Sequence, residues 1–233
     1  MTFKQQMEKA IKEYLTSMGF KYAPKQYLFY KDNENDLSFC TMYGTTSYHR
    51  KEYYELQTIF YIKCPEWDDE VARLFFEKED LNLRFSGPLF FWTPRNIKEK
   101  SRVIFTGTRS MEENLAAYKH EFETYGLPLY EKFTTKDIMY ENMFKPEYSY
   151  AFGWFSRWYF PVVSYLYGDY EKAMHYASQT LNELKKSKTG FLNTPSVSLV
   201  EYSRFYKNLL AAIKARPDYK EPTWIDRIKA KWK

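Results

Sequence analysis

The chain has 233 residues, 44% hydrophobic and 28% charged, with 35 basic against 30 acidic side chains and a net charge of +5. A chain of this length forms one large domain or two closely packed ones. It withdraws roughly 70–75% of its unfolded surface from water, enough to build a core without disulfides or metals. Only ten of the basic residues are arginine, a balance that weighs against a nucleic-acid binder dependent on bidentate base and phosphate contacts.

Phe3, Met7, Ala10, Ile11, Tyr14, Leu15 and Met18 share one face at helical spacing, and Gly19 follows as the stop. Lys4, Glu8, Lys9, Lys12 and Glu13 stand where an export signal needs an apolar run, so the cytoplasm is the expected location. Residues 20–30 read as one aromatic edge strand interrupted by Pro24. A polar turn at 32–36 leads into residues 37–43, where Leu37, Phe39, Thr41 and Tyr43 fall on one side. Residues 52–63 alternate more clearly, with Tyr54, Leu56, Thr58, Phe60 and Ile62 on one face, and the pattern predicts an antiparallel meander carrying the first helix. Cys40 and Cys64 fall on neighbouring strands. A disulfide between them is conceivable, but two buried thiols is the preferred reading.

Pro65 with Glu66, Asp68, Asp69 and Glu70 marks an acidic helix start, where carboxylates complement the macrodipole. Residues 81–85, 89–92 and 102–106 are expected as further strands. Ser110 and Glu113 form a capping box, and Met111, Leu115, Tyr118, Phe122 and Tyr125 line a stripe that ends at Gly126. Further helices are expected over 135–144, 148–167 and 170–186. Another should run from a capping box at Ser198 and Glu201 to just before Pro217, and a short last one carries Trp224, Ile228 and Trp232. The run Gly168-Asp169-Tyr170-Glu171-Lys172-Ala173 with Tyr176-Ala177 resembles the middle of a tetratricopeptide repeat. It has no second copy, so a single helical hairpin near 160–186 is expected.

The fold class is therefore α+β: an N-terminal helix packed on an antiparallel β-meander, followed by an all-helical C-terminal half. The expected boundary lies near 109, dividing residues 1–109 from 110–233, or else near 146, with the two parts packed together or continuous.

The eight glycines are never closer than fifteen residues. Phosphate-cradling loops need clustered glycines, so neither a P-loop nor a dinucleotide fingerprint can be drawn, and no cofactor is expected. His49, His120 and His175 are far apart, and no helix presents two of them one turn apart, so no metal site is expected. No serine lies in a nucleophile elbow and neither cysteine has a histidine nearby, so no catalytic residue is assigned.

Residues 148–170 hold eleven aromatics, with Arg157 the one basic residue. Arg157, Pro161 and three serines make a membrane span a poor reading. One reading is a central buried helix kinked at Pro161. In the other, Trp154, Arg157 and Trp158 form an exposed partner-binding patch, because large rigid rings and arginine dominate interface energies. Residues 151–233 carry 14 basic and 7 acidic side chains. Among them Arg227, Lys229, Lys231 and Lys233 surround the Trp224/Ile228/Trp232 face and offer a weak anionic contact.

The helix end Leu15-Thr16-Ser17-Met18-Gly19-Phe20-Lys21, the aromatic stretch 27–30 and the polar turn after it resemble a bacterial family known only as domain of unknown function 4304. The later 112–133 segment with Gly126-Leu127-Pro128-Leu129 is also similar. The resemblance covers about the first 140 residues; it implies an α+β fold and transfers no activity. The leading expectation is a non-enzymatic protein-interaction module, an adaptor or immunity-like protein. The alternatives are an enzyme with a dispersed polar site in the sheet–helix cleft and a nucleic-acid binder acting through the basic C-terminus.

Overall fold

The computed structural model describes residues 1–24, 27–48, 50–76, 89–92, 103–145, 156–186 and 199–220. They form an α+β fold with an N-terminal helix, an antiparallel sheet and a helical C-terminal half. The chain divides into two compact units, residues 1–68 with 86–155, and residues 69–85 with 156–233. The division thus falls well past 109. The helices between residues 111 and 143 belong to the sheet's unit, because their apolar faces complete its core.

In the first unit, α1 (Phe3–Ser17) begins at a capping box in which Thr2 and Gln5 satisfy each other's backbone N–H groups. Met7, Ile11 and Leu15 are fully buried, as the helical spacing requires. Gly19 follows with φ of +86°, a left-handed conformation that glycine adopts without a Cβ penalty.

Residues 20–30 do not form one strand. They make a hairpin of β1 (Lys21–Ala23) and β2 (Leu28–Asp32), because Pro24 ends the ladder and Tyr27 takes a left-handed φ of +51° in the turn. β3 (Ser38–Thr46) and β4 (Tyr53–Lys63) continue the antiparallel order. The turn between β2 and β3 is organised by Asn33. Its Oδ1 accepts from the N–H groups of Asn35 and Leu37, and its Nδ2 donates to the Thr134 carbonyl at 2.9 Å.

After α2 (Pro65–Phe76), β5 (Leu89–Trp92) and β6 (Val103–Thr106) pair with different stretches of β4, near Phe60 and Ile62 and over Tyr53–Leu56 respectively. Both expected strands are therefore present; the strand expected over 81–85 lies outside the described residues.

α3 (Met111–Glu121) starts at the expected Ser110–Glu113 capping box. The backbone does not stop at Gly126. It passes through a π-helical turn (Phe122–Gly126) directly into α4 (Leu127–Lys132). Gly126 keeps right-handed helical angles, and a Cβ there would lie 3.1–3.2 Å from the rings of Phe60 and Phe122. The glycine serves close packing rather than termination. Pro128 lies in the first turn of α4, directly after the π-helical turn. Asn114 is buried inside α3, where its amide donates to the Thr106 and Ser110 carbonyls and its Oδ1 accepts from the Thr106 N–H, so it pins β6 to the helix. α5 (Lys136–Met143) is capped by Thr135.

Between the sheet and these helices lies a core of rings. Phe122 meets Phe60, Phe20 and Tyr14 edge-on at 5.7–5.8 Å, and Tyr130 stacks on Phe39 at 4.9 Å while its hydroxyl donates to the Cys40 carbonyl. The opposite face of the sheet carries a second cluster of Leu28, Cys40 and Tyr61. Cys40 and Cys64 are free thiols, both buried.

The second unit contains the end of α2 together with α6 (Ser156–Leu166), α7 (Tyr170–Lys186) and α8 (Leu199–Lys214). The part of the expected 148–167 helix before residue 156, the cap at Ser198 and the last expected helix lie outside the described residues. α6 and α7 form a hairpin across Gly168 (φ +74°), with Asp169 accepting from the Lys172 N–H and Ala173 and Ala177 buried at the seam. Asn208 of α8 donates to the Leu74 carbonyl at the end of α2. Pro161 lies inside α6 and has no N–H to give to the carbonyl four residues earlier, that of Arg157. The Tyr202 hydroxyl donates to that same carbonyl at 2.8 Å.

Candidate functional site

The first unit holds a groove of about 600 Å³ between α1 and the hairpin end of the sheet. Its floor is set by strand register. Tyr22 lies directly opposite Phe29, and Phe29 opposite Thr41, which puts Tyr43 on the same face two residues further along β3. The Tyr22 and Phe29 rings are 4.7 Å apart, and Phe29 stacks towards Tyr43 at 6.5 Å. Thr45 and the backbone of Gly44 close one end, and Tyr27 stands at the hairpin turn, 74% exposed.

The wall is α1. Lys4, Glu8 and Lys12 follow each other at one-turn intervals, and Lys9 flanks them, so three lysines face one glutamate. Two of these cations are in loose, exposed pairs, Lys4 with Glu8 at 3.7 Å and Lys9 with Glu13 at 3.6 Å. Such pairs are worth only about 0.3–0.5 kcal/mol each and yield readily to a better anion. Lys12 makes no ion pair among the described residues; its ammonium sits 5.3 Å above the Tyr22 ring. Burial, with the Glu8 carboxylate and Tyr22 nearby, pushes the Tyr43 hydroxyl well above the ordinary tyrosine range, so it stays protonated beside the groove.

Both cysteines and several buried tyrosines are shifted towards their protonated forms. Burial raises both thiols, Cys40 and Cys64, to about 12. Tyr14 is raised to about 12 by burial and by Glu123, and burial lifts Tyr61, Tyr118, Tyr130 and Tyr202 beyond the normal range. Among the described residues no group of three His, Cys, Asp or Glu side chains could hold a metal ion. Among the described residues of the first unit, rings pack between the sheet and the helices.

The residues singled out from the sequence fare differently. Trp158 is fully buried in the second unit, 4.9 Å from Tyr202 and 5.2 Å from Phe205, so the expectation of an exposed Trp158 is corrected. It faces α8 because positions 158, 162 and 165 repeat at helical spacing around a core that needs their volume. Arg157 is half-buried, and its carbonyl is engaged by Tyr202. Trp154, His49, Arg227, Lys229, Lys231 and Lys233 lie outside the described residues. His120 and His175 are exposed. The groove itself was not evident in the sequence: its lysines stood out only as an interruption of an apolar run, and the i, i+4 spacing of Lys4, Glu8 and Lys12 was the available signal.

Fold and site together define an α+β protein with a cation-rimmed, aromatic-floored groove. Compared with known proteins, the chain matches no family model, no curated protein and no solved structure. Among the described residues no helix is long and apolar enough to cross a membrane.

Proposed function

We propose that the chain is a non-enzymatic protein-interaction module, of adaptor or immunity type, which holds an acidic stretch of its partner in the groove of the first unit. The observation that carries this reading is the excess of lysine on the groove wall beside the part-exposed rings of Tyr22 and Tyr43 and the exposed Tyr27. Cations steer an acidic partner and set its orientation, and rings bury area at small entropic cost. The burial of both thiols, which raises them to about 12, supports a binding role over thiolate chemistry.

The test is affinity capture with the full chain carrying a photo-reactive residue at position 45, where Thr45 lines the groove. A partner should cross-link at that position and be lost from the Lys4→Glu/Lys12→Glu variant, whose fold is checked by circular dichroism. The same recovery with both proteins, or no cross-link through position 45, refutes the reading.

A further inference from the structure

The charges on α1 are ordered, not merely positive. Along the groove wall they run Lys4, Glu8, Lys12, one helical turn apart. Eight residues at 1.5 Å each separate the two outer lysines by about 12 Å along the axis. One small anion cannot meet both. An extended chain advances about 3.3 Å per residue and points every second side chain the same way, so its positions i, i+2 and i+4 cover about 13 Å on one face. The outer two would stand at Lys4 and Lys12, and the central one at the level of Glu8.

A carboxylate in the centre would meet Glu8 and be repelled; an uncharged ring would meet the part-exposed Tyr22 and Tyr43, behind which Phe29 is buried. Tyr27 adds an independent observation. Its ring is 74% exposed on a backbone with φ of +51°, a conformation that a bulky residue adopts only at a cost. A large ring held in water from strained backbone does nothing for the core, yet it lines the mouth of the groove.

We infer that the groove reads an extended acid-x-aromatic-x-acid segment of a partner protein, with the outer carboxylates on Lys4 and Lys12 and the aromatic ring between Tyr27 and Tyr22. The inference rests on the interaction reading above and specifies the motif. Lys12 then holds a carboxylate without leaving the Tyr22 face, and Glu8 enforces the neutral centre.

Fluorescence anisotropy of the full chain tests it with the labelled, end-blocked pentapeptide Glu-Ser-Phe-Ser-Glu. Two comparators are used: Phe-Ser-Glu-Ser-Glu, equal in composition but shifted in register, and Gln-Ser-Phe-Ser-Gln, equal in shape but uncharged. The parent should bind at least ten-fold more tightly than either. Glu8→Gln should narrow the gap to the register-shifted peptide. Tyr27→Gly should lose about ten-fold in affinity while its melting temperature holds or rises, since glycine accepts the positive φ; a ring that only supported the fold would give the opposite pattern.

Equal binding of the two acidic peptides, unchanged affinity in Tyr27→Gly, competition by free N-acetylphenylalanine as strong as by the peptide, or no binding of any peptide overturns the motif. If the motif fails while the Lys4→Glu/Lys12→Glu protein still loses its cross-linked partner, the interaction reading stands. If the cross-link also persists, both fall.

Discussion

Replacing Tyr202 with phenylalanine removes one oxygen atom from α8, yet its effect should depend on a proline in another helix. Pro161 leaves the Arg157 carbonyl without its helical donor, and the Tyr202 hydroxyl supplies the substitute at 2.8 Å. A hydrogen bond of this kind contributes about 0.5–1.5 kcal/mol, and stranding a partly buried acceptor adds a desolvation cost, so Tyr202→Phe should destabilise by about 1–2 kcal/mol. In a Pro161→Ala background, residue 161 regains an N–H that can donate to Arg157. The same Tyr202→Phe change should then cost less than about 0.5 kcal/mol, a coupling of about 1 kcal/mol in the double-mutant cycle. Urea unfolding of the four proteins, followed by far-ultraviolet circular dichroism, measures it. An equal cost of Tyr202→Phe in both backgrounds would refute the assignment of the hydroxyl to the proline's orphaned carbonyl, whatever the size of the single effect.

Trp158→Ala should cost about 3–5 kcal/mol, because a buried indole packed on Tyr202 and Phe205 is replaced by a cavity. A change below about 1 kcal/mol in the same urea assay would contradict its place in the core. Cys40 and Cys64 should resist a thiol reagent at neutral pH until the chain unfolds, since burial raises both to about 12. An unfolded thiol ionises near pH 8.5, well below the folded one, so the unfolded state loses protons first. Their stabilising contribution is therefore complete below about pH 8.5 and lost as the pH climbs towards 12. Thermal melts across that window should show the decline, and a Cys40→Ala/Cys64→Ala protein should show less of it. Gly126→Ala should destabilise the first unit although alanine favours a helix by about 1 kcal/mol, because the added methyl meets the buried Phe60 and Phe122 rings at 3.1–3.2 Å. A raised melting temperature would show that those rings can yield.

The elements read correctly from the sequence are those whose cause is local. Met7, Ile11 and Leu15 repeat at the helical period, and Leu56, Thr58, Phe60 and Ile62 at the strand period, so each pattern reports its own buried face. Ser110 and Glu113 sit three residues apart because a helix start has orphan N–H groups there. The failures occur where a distant residue decides. Gly126 carries the same local signature as Gly19, and the difference is Phe60, 66 positions away in the chain, which needs the space.

Of the two readings of residues 148–170, the buried helix holds for the described part, and the exposed patch does not hold for Trp158. In α6 the buried set includes Trp158, Tyr159, Val162, Val163 and Tyr165, which cover so much of the helix that no face stands out as the one left over for a partner. The groove was hidden from the opposite direction. Lys12, Tyr22 and Tyr43 carry no shared local pattern, and only the pairing of Tyr22 with Phe29 and of Phe29 with Thr41 brings their rings beneath one face of α1. Tyr22, Tyr27 and Tyr43 keep part of their surface free beside cations that no strong ion pair engages, whereas the rings of the denser cluster spend their contact area on one another.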